Sequence, residues 1–301
     1  TEDGLSWINA FTDLQTALSL ASADNQIWIA QGTYKPSNSN NTADHFNPPA
    51  GVKIYGGFKG YEASLNQRDW RANRVRLSGD LLGNDNANIL TTEPTRTDNS
   101  ANIMKLMNKG EEVVLDGLTF TGGGSSALLM HKSVVTIKNC VFEKNTGNSA
   151  ASIYDDGDLV RGGGGTLKVF NTVIQDNMSH RGGNFHICGG TNFEIKNCVF
   201  RNNETKSSPT GYEWGGALFI SQIPSNAVGT IHDSLFINNY ASNSGGAIFN
   251  QGQTTIENCT FHNNRADHKG ETILNYDSNL LTVKNSIIWP SAGDAPAPIE
   301  N

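Results

Sequence analysis

The stretch "SGGAIFNQGQTTIENCTFHNN", residues 244–264, recurs in pieces elsewhere in the chain. Its glycine pair with the following apolar residues returns as "WGGALFI" at 214–220, and its tail returns as "NFEIKNCVFRNN" at 192–203. Related phrases recur every 22 to 36 residues, and each ends on a large apolar anchor: Phe120, Phe142, Ile174, Phe200, Phe236, Phe261 and Ile288. A period of ~20–35 residues with β-type content predicts a solenoid that adds one layer per repeat.

Within one phrase, the apolar residues Ile137 and Phe142 alternate with the charged residues Lys138 and Glu143, and Asn139 interrupts the alternation. This pattern favours two short strands joined by a sharp turn. The turn position carries Asn or Asp in six copies: Asn139, Asn171, Asn197, Asp233, Asn258 and Asn285. These residues tolerate left-handed backbone, and their amides can bond from layer to layer. The sequence therefore predicts an all-β fold, a single-stranded right-handed parallel β-helix.

The domain is expected to span residues 1–290, with an N-terminal capping α-helix at about 10–22. A capping element must cover the apolar end of a solenoid, and four residues are expected to do so: Phe11, Leu14, Leu18 and Leu20. The stretch "SAGDAPAPIEN" at 291–301 reads as a linker-like tail that leads to a missing C-terminal anchor or sorting domain.

Composition narrows the function classes. The net charge of the 301-residue chain is −7 and there is no basic run, so nucleic acid is not an expected partner. No apolar stretch is long enough to predict a transmembrane helix. Three of the four cysteines share one inward column two layers apart, which is too far for a disulfide: Cys140, Cys198 and Cys259. They are expected to be buried free thiols, and no cofactor is predicted apart from a possible Ca²⁺.

Several phrases carry a resemblance to a known family. The phrases "GGAL" (215–218) and "GGAI" (245–248) alternate with "FEKN", "FRNN", "FINN" and "FHNN", and this pattern resembles the repeats of bacterial polymorphic outer membrane proteins. The amino-terminal "AFTDLQTALSLASADNQIWIAQGTYKP" resembles the opening of pectin-lyase-like β-helix proteins. The resemblance covers most of residues 4–290. It implies a secreted or cell-surface protein on the extracellular face of a bacterial outer membrane, and it says little about activity.

A first candidate site is an outward column on one sheet: Leu129, Tyr154, His186, Phe219, Phe249 and Leu274. Aromatic side chains spaced by one layer could stack sugar rings or hold a protein partner. The alternative is that a long loop, such as 202–214, folds over the column and buries it as a satellite core.

A second candidate site is the acidic segment "SIYDDGDLVRGGGG" at 152–165. Insertions in the adjacent layers are expected to lie on the same face and to bring further residues to it. The residues expected to meet there are Asp155, Asp156, Asp158, Arg161, His180, Arg181, His186, Tyr212, Glu213 and Trp214. The three aspartates could bind Ca²⁺, or an acid/base pair could cleave polysaccharide. Asp155, Asp156 and His180 weakly resemble the catalytic residues of polygalacturonase-type β-helix hydrolases, although that family's other phrases are absent. A solvated acidic turn paired with Arg161 and Arg181 is the alternative.

A third, weaker Ca²⁺ candidate is the loop that contains Asp80, Asn84, Asp85 and Asn86, which lacks regular EF-hand spacing.

The leading hypothesis is a non-enzymatic, adhesin-like domain, monomeric within a larger surface protein, that recognises a glycan or another cell surface. The first alternative is a polysaccharide lyase or glycoside hydrolase that uses Asp155, Asp156, His180 and His186. The second alternative is a structural stalk. All three remain open because one fold can host each of them.

Overall fold

The computed structural model describes residues 2–156, 164–206, 213–221, 227–276, 281–289 and 298–300. Within them, short parallel strands stack into four sheets. Sheet A contains Gln26–Ala30, Lys53–Phe58, Val113–Asp116, Val134–Lys138, Thr166–Phe170, Asn192–Lys196, Val228–His232, Gln253–Glu257 and Leu281–Lys284. Sheet B contains Gly32–Tyr34, Val75–Ser78, Leu118–Thr121, Val141–Glu143, Val173–Gln175, Val199–Arg201, Leu235–Ile237, Thr260–His262 and Ile287–Trp289.

The other two sheets complete each coil. Sheet C contains Asn102–Met107, Ser126–His131, Ile153–Asp155, Phe185–Cys188, Leu218–Ser221, Ile248–Asn250, Ile273–Asn275 and Ile299–Glu300. The narrow sheet D contains Thr146–Gly147, Met178–Ser179, Glu204–Thr205, Tyr240–Ala241 and Arg265–Ala266. The chain passes from A to B, then D and C, before it returns to A one layer further along. The predicted right-handed parallel β-helix is confirmed, and its handedness is the one that parallel crossover connections adopt.

The turn between sheets A and B follows the sequence prediction. All six Asn and Asp residues of that column have left-handed backbone, with φ between 48° and 55°. The continuous amide ladder lies one corner further on, after the sheet B strands. It runs through buried side chains with Nδ2–Oδ1 distances of 2.9–3.0 Å: Asn145, Asn177, Asn203, Asn239 and Asn264. Four of these residues end the repeated Phe-x-x-Asn phrase, and Asn177 ends the variant that begins with Ile174, so this asparagine links five successive coils.

The anchor column forms the centre of the core. Phe200 stacks on Phe236 with ring centroids 4.5 Å apart, and Phe236 stacks on Phe261 at 4.8 Å. The predicted cysteine column is confirmed as buried and free of disulfides, and burial raises the pKa of the Cys140 thiol to about 12. These thiols therefore stay protonated and pack as small apolar groups.

The repeated glycine pair has a steric cause at the corner before sheet C. Gly245 has φ = 68°, which is left-handed backbone. A Cβ on Gly246 would lie 2.2 Å from the carbonyl oxygen of Glu271 in the next coil. The first glycine thus permits the corner, and the second permits the close approach of neighbouring coils.

The amino-terminal end carries the predicted cap, a helix at Leu14–Leu20. It is shorter than expected because Asp13 caps it by accepting hydrogen bonds from the backbone N–H groups of Gln15 and Thr16. Leu14 and Leu18 are buried against the core, but Leu20 is 67% exposed, so its predicted capping role was wrong. Short 3-10 helices occur at Trp7–Asn9, Leu65–Gln67 and Pro94–Arg96.

The segment expected as a linker-like tail contains one described strand. Ile299–Glu300 pairs in parallel with the sheet C strand Ile273–Asn275. These two residues thus extend the β-helix instead of leading away from it. Residues 291–297 and 301 lie outside the described residues.

Candidate functional site

The outward column of sheet C is built as predicted but is mostly covered. Tyr154, His186, Phe219 and Phe249 lie in register, one per coil. Phe219 and Phe249 are only 6% and 1% exposed. Trp214 covers them, since its ring stacks on Phe249 at 4.8 Å and meets Phe219 edge-on at 5.5 Å. The expectation of an open aromatic stripe was therefore wrong for these two residues, and the alternative of a satellite core is confirmed.

An open concavity lies at the edge of this satellite core, which we call the aromatic pocket. It has a volume of about 490 Å³ and is lined by Trp214, Asn243, Ser244, Phe249, Lys269, Leu274, Asn275, Tyr276 and Glu300. Tyr276 is 50% exposed, and its ring stacks on Phe249 with centroids 5.7 Å apart. The pocket thus combines aromatic surface with amide, hydroxyl and charged groups, the composition typical of small-ligand sites.

The two charged residues of the aromatic pocket face each other. Lys269 Nζ lies 3.6 Å from Glu300 Oε1, and Glu300 Oε2 accepts a hydrogen bond of 3.0 Å from the backbone N–H of Gly270. The Lys269 side chain is 65% exposed, so its ammonium also faces solvent. Because the two charges offset each other, the pocket offers donors and acceptors without a strong excess of either sign.

The acidic segment does not form one surface cluster. Asp155 pairs with Met130 and Ile187 in the column that faces the core, and it is fully buried, whereas Asp156 is exposed. Burial raises the pKa of Asp155 to about 7, while Thr191 and His131 lower it and Asp156 raises it. Asp155 is therefore positioned to affect stability and not to contact a substrate.

His186 is enclosed in a different way. Its ring lies between Tyr154 and Phe219, at centroid distances of 5.3 and 4.3 Å. Its Nε2 lies 2.7 Å from Ser221 Oγ and 3.2 Å from Cys188 Sγ. Burial lowers the pKa of His186 to about 3, so the imidazole is neutral at physiological pH. A buried neutral ring held by packing is poorly suited to exchange protons with a substrate.

The remaining predicted residues are scattered. His180 Nε2 contacts the Thr91 hydroxyl, and its Nδ1 lies 3.0 Å from the carbonyl oxygen of Lys206. Arg181 is exposed and Glu213 is buried. The described contacts bring none of these three to Asp155. The predicted Asp158, Arg161 and Tyr212 lie outside the described residues.

Two features are absent from the ranges that the structure describes. These ranges contain no group of three His, Cys, Asp or Glu residues arranged to hold a metal ion. They also contain no helix with the length and apolar character needed to cross a membrane.

Sequence reasoning missed part of the aromatic pocket, namely Asn243, Ser244, Lys269, Asn275, Tyr276 and Glu300. One signal was available. The residue before each aligned glycine pairs with its counterpart in the next coil. Trp214 forms a parallel β-bridge with Ser244, and Ser244 forms one with Lys269. Alignment of the glycine phrases would have placed Ser244 beside Trp214, and Lys269 in the same column two coils from Trp214.

Comparisons with known proteins agree with a repeat protein. Residues 233–251 match the sequence model of the Chlamydia polymorphic membrane protein repeat. A metabotropic glutamate receptor-like protein R from Dictyostelium discoideum is 30% identical over 164 residues, which are 54% of this chain and 8% of that protein. The chain therefore spans less than a tenth of the length of this relative.

Two solved structures align with this chain at low sequence identity and low structural similarity. A pectin methylesterase variant in complex with a hexasaccharide is 13% identical, covers 86% of this chain and 77% of its own, and gives a TM-score of 0.45. The catalytic unit of a GH87 α-1,3-glucanase from Streptomyces thermodiastaticus is 12% identical, covers 94% of this chain and 66% of its own, and gives a TM-score of 0.33. With such low scores, the assignment of the fold rests on the strand pairing of this chain itself.

Proposed function

We propose that this chain is a glycan-binding domain of a surface protein and that the aromatic pocket is its binding site. The observation that carries the proposal is that the half-buried Trp214 and the 50% exposed Tyr276 flank the buried ring of Phe249 and border one open concavity together with amide and hydroxyl side chains. The surface location is supported by the match to a membrane-protein repeat.

The chemistry of sugars fits such a pocket. A pyranose ring has an apolar C–H face that packs on an aromatic ring, and it has hydroxyl groups at its edge that both donate and accept hydrogen bonds. Asn243, Ser244 and Asn275 line the pocket with amide and hydroxyl groups. Ser244 Oγ already donates to Asn243 Oδ1, and Asn275 Oδ1 accepts from Asn250 Nδ2, so a sugar would have to share or replace these bonds. The paired Lys269 and Glu300, together with the net charge of −7, favour a neutral glycan over a polyanion.

The binding proposal does not include cleavage. The hydrolase alternative requires two accessible carboxylates and His180 in one cleft. Asp155 instead faces the core, and His180 is bound by Thr91 and Lys206. The two solved enzyme structures resemble this chain too weakly to support the hydrolase alternative.

The test is an array of neutral and acidic polysaccharides on which both retained protein and released fragments are measured. Wild type is compared with Tyr276→Ala, and the control is Tyr61→Ala, since Tyr61 is 72% exposed but lines a different concavity. Retention on neutral glycans that falls only in Tyr276→Ala supports the proposal. Retention that is equal in both variants contradicts the site, and released fragments contradict binding without cleavage.

A further inference from the structure

The outward face of sheet B carries a row of apolar side chains, which we call the apolar stripe. Four half-buried residues of successive coils form it, since they occupy the same strand position: Val141, Val173, Val199 and Leu235. Strand alternation directs them away from the core, because the residue after each of them is a fully buried anchor. An apolar surface that continues over several coils is typical of an interaction site.

The connections of these coils leave the apolar stripe open. In each of the four coils, two residues join sheet A to sheet B and two residues join sheet B to sheet D, as at 139–140 and 144–145. Asn139 and Lys144 have left-handed backbone, so both connections are tight turns. Such turns are too short to fold over the face of the sheet.

Sheet A shows that the apolar character is specific to sheet B. An outward column of sheet A consists of polar and charged residues: Thr136, Lys168, Glu194, Thr230 and Thr255. Thr is β-branched and favours strands as Val does, so strand formation alone does not require Val at an outward position. The apolar stripe therefore meets a requirement of the surface.

A polar column lies beside the apolar stripe on the same strands. Glu143, Gln175 and Arg201 are in register in three successive coils. Gln175 Nε2 donates to Glu143 Oε2 at 2.7 Å, and Arg201 Nε donates to Gln175 Oε1 at 2.8 Å. One carboxylate and one guanidinium thus lie one coil to either side of a neutral glutamine. They are the only charged groups at the outward positions of the described sheet B strands between 118 and 237.

This arrangement is complementary to itself under a two-fold rotation. Rotation by 180° about an axis parallel to the strand Val173–Gln175 reverses the order of the coils but keeps each strand position. Two copies placed face to face would set Glu143 opposite the partner's Arg201. The same pair would form on the other side of the axis, because an interface of this symmetry is built from the same patch on both copies. Opposite charges that meet in this way select this arrangement over others.

We propose that the apolar stripe is the interface of a weak homodimer, in which two copies of this chain pack sheet B on sheet B with their β-helix axes in opposite directions. Sheets packed in this way lie about 10 Å apart with interdigitated side chains. The four coils of the stripe span only about 20 Å, whereas each partner of a stable complex buries roughly 800 Å², so a dissociation constant in the micromolar range or weaker is expected. The proposal replaces the expectation of a monomer and does not rest on glycan binding, which we assign to sheet C.

The experiment is sedimentation equilibrium of the full chain at concentrations up to about 1 mM. Wild type is expected to change from monomer to dimer as its concentration rises. Glu143→Arg and Arg201→Glu each place like charges opposite each other at both pairs, so each should weaken self-association by about tenfold or more. An equimolar mixture of these two variants restores opposite charges at both pairs and should dimerise about as tightly as wild type. The control Lys168→Glu reverses a charge on sheet A and should leave the dimer unchanged.

The mixture also guards against misfolding, because recovery of the dimer requires both variants to be folded. Val173→Thr, which keeps a strand-forming residue on the axis, is a second variant that should weaken the dimer without a change of charge. A wild type that stays monomeric throughout would overturn the proposal and leave the stripe to a partner of different chemistry. A dimer that persists in all three sheet B variants, or is lost in Lys168→Glu, would overturn the location. A mixture that stays monomeric would overturn the two-fold arrangement.

Discussion

Replacement of Asp155 by Asn should stabilise the protein most above neutral pH and progressively less as the pH falls from 7 towards 4. The carboxyl group is fully buried, and its pKa is raised by burial from 3.8 to about 7. In the unfolded chain the group ionises near pH 4, but the folded chain keeps the proton until about pH 7. The unfolded state therefore loses its proton first, and stability falls as the pH rises through this window.

The size of the effect follows from the same shift. A difference of about three pKa units corresponds to roughly 4 kcal/mol, which is an upper value because the coil can relax around the charge. The assay is urea unfolding at pH 5 and pH 8 of wild type, Asp155→Asn and the exposed control Asp156→Asn. Asp155→Asn should gain up to roughly 4 kcal/mol over wild type at pH 8 and less than half of that at pH 5, because pH 5 exceeds the unfolded pKa by only about one unit. An equal difference at both pH values would refute the reasoning, as would an equal gain in Asp156→Asn.

Two further predictions concern the repeat itself. Asn203→Ala removes a ladder residue that bonds to Asn177 and Asn239, so the free energy of unfolding measured in urea should fall by about 3 kcal/mol or more. The control Asn202→Gly keeps the left-handed turn and should lower the free energy of unfolding by less. An equal loss in both variants would contradict the ladder's role. Gly246→Ala should lower the melting temperature because its Cβ would lie 2.2 Å from the carbonyl oxygen of Glu271. In the control Gly110→Ala the Cβ meets nothing within 4 Å, so the melting temperature should stay that of wild type. Similar melting temperatures of the two variants would exclude this steric argument.

The fold could be predicted from the sequence because each repeat carries its own constraint. A left-handed Asn139, an inward Phe142 and a ladder Asn145 each satisfy a local requirement within a few residues, and the same requirement returns in the following coils. The corner at which the asparagine ladder forms was harder to predict. Asn occupies two corners of each coil, and only burial distinguishes the ladder residue Asn145 from the turn residue Asn139.

The candidate site was predicted less well because it depends on insertions that do not repeat. Strand alternation places Phe219 outward, but only the position of Trp214, at the end of a long loop, determines that Phe219 is covered. Asp155 and Asp156 are adjacent in sequence, yet alternation sends the first into the core. No periodicity in the chain connects His180 to Thr91, because the two residues are 89 positions apart.

The most direct test of the central claim is a calorimetric titration of the best retained neutral oligosaccharide into wild type, Tyr276→Ala and Tyr61→Ala. The account predicts saturable binding by wild type and Tyr61→Ala, and a dissociation constant about tenfold higher, or ~1.4 kcal/mol, for Tyr276→Ala. Equal affinity of all three proteins would contradict the assignment of the aromatic pocket as the glycan-binding site.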